Sequence, residues 1–183
     1  MTWQTLSSRV AYQNPWITVR EDEVLAPDGS PAVYGVVEMR DSVFIVALTD
    51  DDEVVLVTTD RYTTGPGSVE VPAGGGEGQD PLDAARRELA EEAGLTAREW
   101  THLGTTEALN GVARAVEHVY LARGLASVPD AEATAHEQAA EGISAVRAVP
   151  FADVLAMVRA GEIRDGETIT ALALAALHLG RLR

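Results

Sequence analysis

The sequence predicts an α/β fold, a β-sheet covered by helices. Short runs of strand length, apolar or alternating, recur along the chain, and three segments of helical period interrupt them, one midway and two at the end. Residues 14–39, NPWITVREDEVLAPDGSPAVYGVVEM, read as two strands joined at the turn tetrapeptide Pro27-Asp28-Gly29-Ser30. SVFIVAL is a short apolar run of the kind that forms a buried strand. TDDDE is a turn, and VVLVTT a second buried strand. GPGSVEVPAGGGEGQDP reads as a loop with one extended piece, Ser68 to Val71. A helix is expected from Pro81 to Ala93: Asp80 suits its N-cap, Pro81 its first position and Gly94 its end. WTHLGTTEAL and EHVYLARGL are strand candidates, and ASVPDAEATAHEQAAEG reads as a long polar loop. ISAVRAVP gives another strand. In FADVLAMVRAGEI, Phe151, Val154, Leu155 and Val158 share one face, so a helix ends at Gly161. GETITALALAALHLG is the last helix.

The 183 residues suit one domain with a small appendage, and 46% hydrophobic residues suffice for a core. Net charge is −15, from 29 acids and 14 bases, which argues against nucleic acid or an anionic membrane as a partner. Small anionic ligands stay open, because a bound divalent cation inverts the local field. Without cysteine the chain has no disulfide and no thiolate metal site, which suits a cytoplasmic protein. MTWQTLSSRV lacks the apolar core of a signal peptide, and no stretch is long and apolar enough to span a bilayer.

The helix DAARRELAEEAGL raises a physical question. Leu82, Ala85 and Leu89 form its buried stripe, while Glu88, Glu91 and Glu92 fall at i, i+3 and i+4 on a neighbouring one. Like charges so spaced repel by a few tenths of a kcal/mol per pair, and near a helix C-terminus they oppose the macrodipole. A solvated Glu-rich surface and a site for a divalent cation both fit this pattern; Mg2+ or Mn2+, which favours carboxylate oxygen, turns both penalties into attractions. The preceding PAGGGEGQDP is rich in glycine, which lets the backbone approach a ligand closely.

VPAGGGEGQDPLDAARRELAEEAGL resembles the Nudix box, G-x5-E-x7-R-E-U-x-E-E-x-G-U with U aliphatic. Arg87, Glu88, Leu89, Glu91, Glu92, Gly94 and Leu95 match every fixed position of its second half. The first half departs: Gln79 stands where the family has Glu, and four residues rather than five separate it from Gly74. NPWITVREDEV, YGVVE, LNG, HVYLARGL and GEIRDGETITALALAALH extend the resemblance to the ADP-ribose pyrophosphatase-like branch. The resemblance implies an α/β/α sandwich around a mixed β-sheet in residues 41–183. A small N-terminal antiparallel sheet in residues 1–40 would serve homodimerisation.

It further implies divalent-metal-dependent hydrolysis of a nucleoside diphosphate-linked small molecule, ADP-ribose or a nucleotide sugar. Glu88 and Glu92, with Glu91 and the backbone carbonyl of Ala73, would hold Mg2+ or Mn2+. Arg87 would orient the glutamates, its usual Glu partner being Gln79 here. Glu141 would be the general base, with Glu137 and His136 in reserve, whereas His118 reads as a sheet residue. Arg61 would contact phosphate or ribose and Glu70 would support the metal loop. Trp16 and Tyr62 are candidates to stack on a base, packing being the plainer alternative. After LNG the branch continues Phe-Ser-Asp-Glu, but this chain has Val112, Ala113, Arg114 and Ala115. The departures leave a second reading, a catalytically weakened domain that binds nucleotides, and a third, an acidic domain that acts only as a protein partner.

Overall fold

The computed structural model describes residues 2–76, 78–129 and 131–182. In chain order the strands are β1 (Gln4–Gln13), β2 (Ile17–Leu25), β3 (Pro31–Met39), β4 (Ser42–Ala47), β5 (Glu53–Arg61), β6 (Gly65–Glu70) and β7 (Ala73–Gly75). After helix α1 (Pro81–Ala93) come β8 (Leu95–Glu107), β9 (Ala113–Arg114) and β10 (Val116–Ser127). Helix α2 (Ala131–Ala140), β11 (Ile143–Pro150), α3 (Phe151–Ala160) and α4 (Gly166–His178) complete the chain.

The first sheet has the order β1-β2-β3-β9, antiparallel through β3 and parallel between β3 and β9. Its β2–β3 turn is the predicted one. Asp28 Oδ1 accepts the Ser30 N–H at 2.9 Å and the Ser30 hydroxyl at 2.6 Å, while Gly29 takes φ +88. The sequence reading has no strand at β1. This strand is exposed along its whole length, so no buried face imposes the alternation of apolar and polar residues that would have marked it.

The second sheet, β7-β4-β10-β8, is mixed: β4 and β10 are parallel and the other pairs antiparallel. A third, β11-β5-β6, is antiparallel and is linked to β4 through the Leu48–Val54 bridge. Strand alternation sends Val43, Ile45 and Ala47 to one side, against Ala84, Ala85 and Leu89 of α1. Val46 and Leu48 point to the other, against Phe151 and Val154 of α3 and Leu172 and Ala175 of α4. Helices thus cover both faces of a mixed sheet arrangement, as expected.

Helix α1 begins and ends where its caps predict: Asp80 Oδ1 accepts the Leu82 N–H at 2.9 Å and Gly94 closes it at φ +67. The segment read as one long polar loop contains α2 instead. AEATAHEQAA has good helix formers but no apolar stripe, so periodicity gave no sign of it. Its anchor is tertiary: Gln138 Nε2 donates to the Glu92 carbonyl at 2.9 Å. Among the described residues no helix is long and apolar enough to cross a membrane.

Candidate active site

The acidic stripe of α1 is buried. Glu88 is 4% exposed and Glu92 6%, beside Ala84, Ala85 and Leu89. The short strand β7 covers them. Its residues pair with β4, Ala73 opposite Phe44 and Gly75 opposite Ser42, and the Gly76 N–H donates to the Asp41 carbonyl at 2.7 Å. The Ala73 N–H donates to Glu92 Oε2 at 2.7 Å. Gly74 lies directly over Glu88; a Cβ there would stand 2.1 Å from that carboxylate, so glycine is what admits it.

Arg87 ties the cluster together. It reaches Glu88 Oε1 and Glu91 Oε2, each at 2.8 Å, and donates to the Gly75 carbonyl at 2.9 Å. Glu141 arrives from the turn after α2, where Gly142 takes φ +75 and the Thr59 hydroxyl donates to the Glu141 carbonyl at 3.3 Å. Carboxylate oxygens of Glu88, Glu91 and Glu141 lie within 4.8 Å of one another. Burial pushes the Glu88 carboxyl up to about 7; Arg87 opposes this, and Glu91 and Glu141 add to it. Burial likewise pushes Glu92 up to about 8, against the Ala73 N–H and with help from Glu141 and Glu88. These groups are hard oxygen donors that repel one another when ionised, and their convergence fits a divalent cation.

A cleft of about 920 Å³ opens from Ala73 and Gly74. Arg61 lines it, held by Glu70 through Nε at 3.1 Å and Nη2 at 2.6 Å. Phe44, Leu109, Glu117, Arg40 and the Arg164–Glu167 segment form other walls.

Most of the residues singled out in the sequence therefore meet here: Arg87, Glu88, Glu91, Glu92 and Glu141 around β7, with Arg61 and Glu70 in the adjoining cleft. Glu137 and His136 lie exposed on α2. Trp16 is 72% exposed before β2 and Tyr62 is fully exposed after β5, so neither packs into this chain's core, and neither lines the cleft. His118 is a sheet residue of β10, opposite Val43 and Thr105, as read. Gln79 is exposed and borders a smaller cavity with Asp41 and His118. Sequence reasoning missed Gly74 as the seat of Glu88, Gln138 as the tie between helices, and the α4 cap as a cleft wall. Asp165 ahead of Gly166-Glu167-Thr168 carried a local capping signal, but nothing local put it in the cleft.

Comparison with known proteins gives the family. Residues 38–172 match the NUDIX domain. The chain belongs to the Nudix family. Ahead of that Nudix domain, residues 3–37 match the nucleoside diphosphate sugar hydrolase N-terminal domain. The chain is 36% identical over 139 residues to an ADP-ribose pyrophosphatase of Mycobacterium tuberculosis, covering 75% of this chain and 67% of that protein. It is 28% identical over 170 residues to the ADP-ribose pyrophosphatase of Bacillus subtilis, covering 92% and 90% of the two. The crystal structure of an ADP compounds hydrolase superposes with a TM-score of 0.80 at 20% identity, covering 100% of this chain and 98% of that one, and shows the same Nudix fold.

Proposed function

We propose that this Nudix protein hydrolyses the diphosphate bond of a nucleoside diphosphate derivative, ADP-ribose or a nucleotide sugar. The observation that carries the reading is the convergence of Glu88, Glu91 and Glu141 beside Gly74, at the border of a cleft large enough for such a molecule. The names of the relatives support the substrate class.

Glu88, Glu91 and Glu92, with the Ala73 carbonyl, would hold Mg2+ or Mn2+, which when bound supplies positive charge against the diphosphate oxygens. Arg87 fixes the orientation of Glu88 and Glu91. Glu141, exposed on one side and among carboxylates on the other, is the proposed base that takes a proton from the attacking water; Glu137 is the reserve. Arg61, already aligned by Glu70, binds phosphate or ribose oxygen.

Homodimerisation through residues 1–40 belongs to the same proposal. β1 is exposed along its whole length, including Leu6, Val10 and Tyr12, a surface suited to a second subunit. Trp16 and Tyr62, both exposed, are the proposed residues to stack on a base. The cytoplasm is the proposed compartment, on the cysteine-free composition alone.

A substrate screen with Mg2+ and with Mn2+, reading phosphate after phosphatase coupling, tests the activity. Turnover of ADP-ribose or a nucleotide sugar is the expected result. Nucleotide binding without turnover would favour the binding module that Gln79 and the shortened loop suggest. Sedimentation giving a monomer at micromolar concentration would remove the dimer.

A further inference from the structure

Residues 70–74 carry both arms of the site on one short stretch. At one end Glu70 holds Arg61 in the cleft, and at the other Ala73 donates to Glu92 and Gly74 seats Glu88. A shift anywhere in this stretch therefore moves both arms. Pro72 has no N–H, and its carbonyl accepts from Ile45 N–H at 2.9 Å. Between Glu70 and Pro72, the backbone N–H of the buried Val71 has a side-chain acceptor from a distant element, the hydroxyl of Thr168, at 3.1 Å.

Thr168 is itself 0% exposed in the first turn of α4. Its own N–H donates to Asp165 Oδ2 at 2.7 Å, which fixes the turn. Asp165, Gly166 and Glu167 of the same turn line the cleft. The cap thus borders the cleft through Asp165, Gly166 and Glu167, and through Thr168 it bonds the segment that leads to the glutamates.

We infer that Thr168 is a positioning residue for hydrolysis: through the Val71 N–H it holds residues 70–74 in the register that sets Ala73 against Glu92 and Gly74 over Glu88. This rests on the metal-dependent reading above. An N–H as buried as that of Val71 has no water to turn to when its acceptor is removed, so the strand shifts to find one. The shift is passed to the next two residues, where it disturbs the bond of the Pro72 carbonyl with Ile45 and that of the Ala73 N–H with Glu92.

The test compares Thr168→Val, which keeps the shape and removes the acceptor, with Thr168→Ser, which keeps the acceptor, and Thr168→Ala as a smaller variant without overpacking. Mn2+ affinity is titrated on each purified protein, and kcat and KM are measured per folded molecule. The expected result is a loss of about 10-fold or more in both Mn2+ affinity and kcat for Thr168→Val and Thr168→Ala, with Thr168→Ser within about threefold of the parent. A merely structural role would lower the melting temperature and leave both quantities unchanged; that outcome overturns the inference. So does an equal loss in Thr168→Ser, which would assign the effect to the methyl group. A parent that binds no Mn2+ overturns the metal-dependent reading and this inference with it, whereas an active parent with unimpaired Val and Ala variants overturns the inference alone.

Discussion

Gly74→Ala separates the proposed metal cluster from the fold. Gly74 has no positive φ, so its backbone accepts alanine, and the three atoms nearest its new Cβ would all belong to the Glu88 carboxylate, Cδ and Oε1 at 2.1 Å and Oε2 at 2.3 Å. Unbonded carbon and oxygen sit comfortably at about 3.5 Å, so the carboxylate must retreat by roughly 1.5 Å. It is the far end of a flexible side chain, and burial already disfavours its charge. Moving it therefore costs the fold little, and the reduced freedom of the unfolded chain contributes about 0.4–1 kcal/mol in the other direction. A misplacement of 1 Å at a reacting site is worth about 10²-fold in rate. The expected outcome is a melting temperature within about 3 °C of the parent, with turnover down about 100-fold and weakened Mn2+ binding. Steady-state kinetics, Mn2+ titration and thermal melts on one preparation measure all three. Turnover equal to the parent's would refute the reasoning. A large drop in melting temperature would also refute it, because Gly74 would then be a backbone requirement rather than a seat for Glu88.

Metal-free protein should lose stability as pH rises. Glu88 and Glu92 titrate near 7 and 8 in the fold, above their ordinary 4.5, so the folded state holds protons that the unfolded state releases. Their contribution is fully present below about 4.5 and is lost as pH climbs through 7 and 8; melts in chelator across that window that rise or stay flat would contradict it. Glu141→Gln should lower turnover by about 10² to 10⁴ with Mn2+ affinity changed much less, while Glu137→Gln stays near the parent. The reverse ranking would make Glu137 the base. Gln79→Glu should raise turnover by no more than about 10-fold, since Arg87 already has Glu88, Glu91 and the Gly75 carbonyl, and a charge-assisted bond adds only about 1.4 kcal/mol at that ceiling. A gain of several hundredfold would mean that Arg87 is poorly held.

What could be read from the sequence was what is local. The ends of α1 are written in Asp80, Pro81 and Gly94, and the β2–β3 turn in Asp28 and Gly29, each acting on its own neighbours. Strands β4 and β5 announced themselves because both faces are buried, which leaves uninterrupted apolar runs. β1 was hidden by the lack of a buried face and α2 by the lack of an apolar stripe. Within the site, the box glutamates were legible as an otherwise unfavourable stripe, and Glu141 only through family resemblance. Thr168 was out of reach, since its partner lies 97 positions away and the two meet only once the chain has folded.

The tie from Gln138 to the Glu92 carbonyl bears on how such a site can change over time. Glu141 follows directly on α2, and α2 is fastened to the same helix that carries Glu88 and Glu91. Its place beside them is therefore held from two sides, by α2 tied to α1 through Gln138 and by the Thr59 hydroxyl of β5 bonded to its own carbonyl. Substitutions in the cleft walls would leave this two-sided hold on the carboxylate cluster untouched, so ligand preference and cluster geometry are separable in this fold.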